Sequence, residues 1–265
     1  LEKDLMKSLQ LKVLSVVASA LAVVGVAVAP QATAAERNLV AFGDSVLADP
    51  DAGSYLAHRY DPSKGVGVDC PTSNNYAKRA GAKLRLPVRD FSCSGAVSMS
   101  RGPQIFQQVD AAIRTGALSP ATNRVVITTG FNDTYNHRDM SLPQIRKQFA
   151  DRTAPQIERI KRAAPNARVQ IVGYPTIGTG PYYCLFHFGP RPADSTFLPG
   201  IQDFENKAQW MQVDLAARTG VQFLDMKPST RNNGMCADAN QRMWAGLVDF
   251  SACLLYTSDA ADEED

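Results

Sequence analysis

The chain has 265 residues, 45% of them hydrophobic and 20% charged, and a formal net charge of +2 from 28 basic and 26 acidic side chains. That length is enough for one domain with a substantial core. Lysine and arginine are scattered rather than blocked and no interleaved basic-aromatic surface stands out, so nucleic acid is excluded as an expected partner.

In chain order, Met6 to Ala34 has a short basic start (Lys7, Lys12), an apolar stretch from Val13 to Val28, Pro30, and the small residues Ala32, Thr33 and Ala34. This is the layout of a secretory signal peptide, with cleavage expected after Ala34. The apolar run is shorter than the roughly 20 residues of a membrane span, and no other segment is apolar enough. The reading is an exported chain with no stable span after cleavage. Leu1 to Leu5 precede the first methionine and read as translated upstream sequence.

Asn38 to Phe42 reads as a strand that ends in Gly43, Asp44 and Ser45. Ser73 or Asn74 is expected to cap a helix running to Leu84, followed by a short strand from Val88 to Phe91. Gln104 to Thr115 reads as a helix with Ile105, Val109 and Ile113 on one face. Arg124 to Thr129 is a buried strand by its β-branched run. Leu142 to Ala164 is a long helix with a break near Ala154 and Pro155. Arg168 to Gly173 is a strand, Tyr174 to Gln202 a long loop, Phe204 to Arg218 a helix and Val221 to Met226 a strand. Strands and helices in alternation predict an α/β fold, a three-layer sandwich around a central parallel sheet.

Four cysteines, Cys70, Cys93, Cys184 and Cys236, fall within this pattern. In an exported chain they imply two disulfides. Three pairings are open; Cys70 with Cys93 and Cys184 with Cys236 is preferred, because each then closes one excursion of the chain. A zinc site is disfavoured, since no Cys-x-x-Cys spacing occurs and the histidines lie elsewhere. Residues Cys253 to Glu263 resemble, when back-translated, a transposase adapter used to prepare sequencing libraries. Natural sequence is therefore expected to stop at about Ala252. The domain expected is 35–252, between upstream and signal residues 1–34 and a non-native tail 253–265.

Three polar loops follow three predicted strands: Gly43-Asp44-Ser45, Ser92 to Gly95, and Gly130 to Asp133. In a parallel sheet those strand ends share one rim, bringing together a hydroxyl, a glycine N–H and an amide side chain. Acyl transfer requires such parts: a nucleophile, and donors for the oxygen that becomes negative. Locally, Ser45 could instead be a helix cap, Gly95 a turn residue and Asn132 an Asx turn.

"FGDSV", "CSGA" and "GFND", in that order, resemble the first three signature blocks of the SGNH, or GDSL-type, hydrolases. The wider frame is similar to secreted, disulfide-bonded esterases and lipases of actinobacteria within that superfamily, over essentially the whole mature chain. The resemblance implies a flavodoxin-like sheet and a serine esterase or lipase acting on a small-molecule or lipid ester without cofactor or metal. It makes Ser45 the nucleophile, and the N–H of Ser45, the N–H of Gly95 and the Asn132 amide the oxyanion hole. Asp44 and Asp133 are expected to brace turns, and the protein is read as a monomer.

The general base is missing from its expected place. The family supplies a histidine near the C-terminus, often as Asp-x-x-His, whereas this chain has Asp249-Phe-Ser-Ala252 there. His58, His137 and His187 are its only histidines, and each sits in an unusual position for a base. The expectation is that the catalytic histidine has been lost by truncation and that the chain as given is severely impaired. The alternative is a secreted non-catalytic protein holding a glycan or lipid on the same scaffold. A flavodoxin-like nucleotide binder is disfavoured, because no glycine-rich phosphate loop opens the first helix. Tyr182, Tyr183, Phe186, Phe188 and Phe197 in the long loop could line an acyl or aryl pocket, or pack against the sheet.

Overall fold

A computed structural model describes residues 36–249 apart from 62, 65, 66 and 68. The signal-peptide and tail assignments lie outside the described residues. Five strands, β1 (Leu39–Gly43), β2 (Val88–Asp90), β3 (Arg124–Thr128), β4 (Arg168–Val172) and β8 (Gln222–Leu224), form one sheet in the order β2-β1-β3-β4-β8. Every neighbouring pair is parallel. β1 and β3 carry continuous apolar runs, Leu39 to Phe42 and Val125 to Ile127, because a parallel sheet is packed from both sides; all five residues of β1 are buried.

The strand period of two sorts the side chains. Val40, Phe42, Val125, Ile127, Val169 and Ile171 point to one face. There they meet helices α4 (Ile105–Arg114), α6 (Leu142–Ala163) and α7 (Pro199–Thr219) through Val109, Phe149, Ile157, Met211 and Leu215. Leu39, Ala41, Val126 and Val172 point to the other face, against Leu47 of α1 (Ser45–Ala48) and Ala77 of α3 (Tyr76–Leu84). The three layers expected from the sequence are present. The remaining short helices are α2 (Ala52–Tyr60), α5 (Phe131–Asn136) and α8 (Lys227–Thr230).

Both preferred disulfides form, Cys70–Cys93 and Cys184–Cys236, with Cα separations of 5.2 and 5.0 Å. The long segment after β4 is ordered by distant partners. β5 (Tyr182–Tyr183) pairs antiparallel with β7 (Thr196–Phe197), and β6 (Phe186–His187) pairs parallel with β9 (Val248–Asp249). From α7 the buried Glu205 carboxylate accepts the N–H groups of Ile177 and Gly178, both at 3.2 Å, and the Tyr183 hydroxyl at 2.6 Å. Burial and this bond to a carboxylate raise the Tyr183 phenol well above its ordinary range.

Several local expectations are corrected. Helix α3 is capped by Asn75, whose Oδ1 accepts from the N–H groups of Ala77 and Lys78; Ser73 instead bonds Asp49 and Ala48. Helix α6 is continuous, with Pro155 inside it, and α7 begins at Pro199 rather than Phe204. Ile113 is 39% exposed, and Ala112 is buried in its place. A spacing of four overshoots the 3.6-residue turn by about 40° at each step, which carries the third residue off the face.

Candidate active site

The strand order is that of a flavodoxin-like doubly wound sheet, in which the chain reverses direction across the sheet between β1 and β3. Ligands bind such sheets at the carboxyl ends of the strands at that switch point. Gly43-Asp44-Ser45 leaves β1 there and Gly130 to Asn132 leaves β3 beside it, with Gly43 in register with Thr128. The turns are stitched together by backbone bonds: Asp44 N–H to Thr128 O at 3.2 Å and Cys93 N–H to Gly43 O at 2.9 Å. A Cβ on Gly43 would lie 2.8 Å from Thr128 O and 2.9 Å from Leu47. Only glycine lets the Ser45 turn sit this close to β3. Gln108, buried on α4, brackets the same glycine, accepting from its N–H and donating to its carbonyl, each at 2.9 Å.

Ser45 is the first residue of α1 and half-buried. The cap of that helix is Asp44, whose Oδ1 accepts from Val46 N–H at 3.0 Å. This leaves the serine hydroxyl uncommitted to capping. The second oxygen of Asp44 accepts from the Tyr174 hydroxyl at 2.5 Å. Asp44 is buried, and desolvation pushes its pKa up to about 7, against the opposing pull of the Tyr174 and Val46 hydrogen bonds.

Gly95 is exposed with φ +78°, and a Cβ there would meet nothing within 4 Å. Positive φ is the reason for glycine at that turn. Asn132, in the first turn of α5, is 8% exposed and held from both ends. Its Nδ2 donates to Ala96 O at 2.8 Å and its Oδ1 accepts the Tyr135 hydroxyl at 2.7 Å. An amide carries two N–H donors, so one remains for a ligand. Asp133 is fully buried and gathers the loop that carries Gly95, accepting from the N–H groups of Ser98, Met99 and Ser100 and from the Ser100 hydroxyl at 2.6–3.0 Å. Both aspartates expected to brace turns do so.

The structure thus brings the Ser45, Gly95 and Asn132 loops to one rim. It gives the three histidines other surroundings. His187 is fully buried in β6, its Nε2 2.9 Å from Met235 O. His137 ends α5 and lines an open surface cleft with Asp139, Lys147 and Arg152. His58 lies in the last turn of α2, a helix with no buried residue. Sequence reasoning missed Gln108, Tyr135 and Tyr174. A polar residue on the apolar stripe of α4 was the available signal for the first; the tyrosines carried none.

A cavity of about 410 Å³ lies on the sheet face beside α3, lined by Leu39, Val126, Val172, Leu224, Met226 and others. It does not include Ser45, Gly95 or Asn132. Among the described residues no group of three or more metal-ligating side chains occurs, and no helix is long and apolar enough to cross a membrane.

The molecule is thus a doubly wound α/β protein with Ser45, Gly95 and Asn132 gathered at the switch point of its parallel sheet. Residues 41–256 match the model of the GDSL-like lipase/acylhydrolase family, and the chain belongs to that family. Among solved structures it is similar to phospholipase A1 from Streptomyces albidoflavus NA297, with a TM-score of 0.49 and 20% identity over 76% of this chain and 84% of that one. It is also similar to an extracellular lipase from Streptomyces rimosus, with a TM-score of 0.46 and 22% identity over 78% and 87%. A family two carbohydrate esterase from Clostridium thermocellum shares 15% identity over 75% and 56%, with a TM-score of 0.45. No curated protein matches the chain.

Proposed function

We propose that this hydrolase is a secreted serine esterase or lipase that cleaves carboxylic esters through an acyl-enzyme on Ser45. The observation that carries the reading is the convergence of the Ser45 turn with the Gly95 and Asn132 loops at the β1/β3 switch point. In this scheme the Ser45 Oγ attacks the ester carbonyl carbon while its proton passes to a base. The carbonyl oxygen becomes an oxyanion held by the N–H groups of Ser45 and Gly95 and by the remaining N–H of Asn132. Collapse expels the alcohol, and water then releases the acid from the acyl-serine by the same route. No cofactor enters the scheme. The two disulfides support an oxidising, extracellular destination.

None of His58, His137 and His187 is assigned as the base, given the surroundings described above. The reading is that Ser45 has no histidine base among the described residues. Losing the base of a serine hydrolase costs on the order of a million-fold in turnover. Imidazole supplied in solution should therefore restore phosphonylation of Ser45 by a fluorophosphonate, read by peptide mass, and Ser45→Ala should abolish it. If imidazole leaves Ser45 unmodified, the serine-hydrolase reading fails. The alternative, a scaffold that only holds a glycan or lipid, then stands.

A further inference from the structure

We propose that Tyr174 is a positioning residue, whose phenol fixes the nucleophile's turn against the turn that carries the amide donor. The inference rests on the assignment of Ser45 and Asn132 above. Tyr174 follows β4 by two positions and belongs to neither loop. Its hydroxyl nevertheless sits between them, donating to Asp44 Oδ2 at 2.5 Å and accepting from Phe131 N–H at 3.0 Å. Asp44 immediately precedes Ser45 and Phe131 immediately precedes Asn132. One oxygen atom therefore ties the residue before the nucleophile to the residue before the donor.

The ring cannot swing away from this place. It is 3% exposed and packs with Val46 and Ala208, and it meets Phe131 edge-on with centroids 5.5 Å apart. The charged and titratable groups facing Asp44 are Asp133 and Tyr135 of α5, Tyr76 of α3 and Tyr174 itself. None is cationic. Among the described residues the bonds that hold this carboxylate come from the Tyr174 hydroxyl and the Val46 N–H, the phenol's being the larger contribution. Losing that bond frees the two turns to separate and removes the principal support of the ionised Asp44. A misplacement of reacting groups by about 1 Å can cost a hundredfold in rate.

The test uses the full chain with imidazole as base. Tyr174→Phe is expected to slow phosphonylation of Ser45 by about tenfold or more while the far-ultraviolet spectrum stays native. Carboxyl NMR of the aspartates, with Asp44→Asn assigning the resonance, is expected to show Asp44 titrating near neutrality. Its midpoint should be higher in Tyr174→Phe, because the lost O–H had favoured the charged form. Should Tyr174→Phe fail to fold, site-specific replacement of Tyr174 by 3-fluorotyrosine keeps the shape and strengthens the donor, and the midpoint should fall. An Asp44 midpoint that ignores the phenol, or a Tyr174→Phe rate equal to that of the parent, overturns the proposal. If Ser45 resists the reagent in both chains while Asp44 still responds to Tyr174, the underlying assignment of Ser45 fails, and the positioning role fails with it.

Discussion

Asn132 is a residue whose chemistry is set by its neighbours. With Oδ1 occupied by Tyr135 and one N–H given to Ala96 O, the amide has a single free hydrogen in a fixed direction. Tyr135→Phe removes one of the two bonds that fix that amide, leaving only Ala96 O to hold it, and the imidazole-rescued modification of Ser45 should slow by about tenfold without loss of thermal stability beyond about 1 kcal/mol. Asp44 acts on stability as well. Its folded pKa of about 7 lies above the ordinary 3.8, so between those values the folded chain holds a proton that the unfolded chain has released. The stabilisation is fully present below the unfolded value and is lost as pH rises through about 7, by an amount of roughly 4 kcal/mol at most. Denaturant titrations should show the parent gaining stability relative to Asp44→Asn as pH falls from 8 to 5. A flat difference would contradict the burial argument.

Among the elements, the two cysteine pairs separate stability from site geometry. Cys70–Cys93 closes 23 residues and Cys184–Cys236 closes 52, for which the chain-entropy model gives about 3 and about 4 kcal/mol. Cys93 also donates its N–H to Gly43 O beside the serine turn. Replacing Cys70 and Cys93 by serine should therefore cost less stability and slow Ser45 modification more. Replacing Cys184 and Cys236 should do the reverse, since Glu205 still holds Ile177, Gly178 and Tyr183. Chemical denaturation and labelling rates on both double variants check the contrast.

Elements also differ in how legible they are. β1 and β3 are readable because burial from both sides leaves the apolar runs Leu39 to Phe42 and Val125 to Ile127, and β4 because Val169, Ile171 and Val172 keep a β-branched pattern around Gln170. The cap of α3 is not, because Ser73, Asn74 and Asn75 are all capping types and only their tertiary partners break the tie. The strands β5, β6, β7 and β9 have two residues each, too few for any period, and are defined by pairings with distant segments. The Ser45, Gly95 and Asn132 loops follow readable strands. Tyr174 reaches Asp44 across 130 positions, a contact that no local pattern encodes.

At the scale of the whole molecule the two sides of the sheet are unlike. Ile127 is fully buried among the residues of α4, α6 and α7, whereas Val126 is 8% exposed and lines the cavity beside α3. Ile127→Ala should cost about 3–4 kcal/mol and Val126→Ala about 1 kcal/mol, since a site already bordering open volume forfeits fewer contacts. Equal losses in urea unfolding would show that the two layers are packed alike.

The pairing of the cysteines has a consequence in time. Neither loop encloses or crosses the other: Cys93 comes before Cys184 in the chain. A polypeptide appearing N-terminus first therefore presents Cys70 and Cys93 before Cys184 has emerged, and then Cys184 before its partner Cys236. Oxidation in order of appearance yields the native bonds, with no wrong bridge that must be undone. The architecture lets the rim around Ser45 be locked while the aromatic loop and its closing strand are still being made.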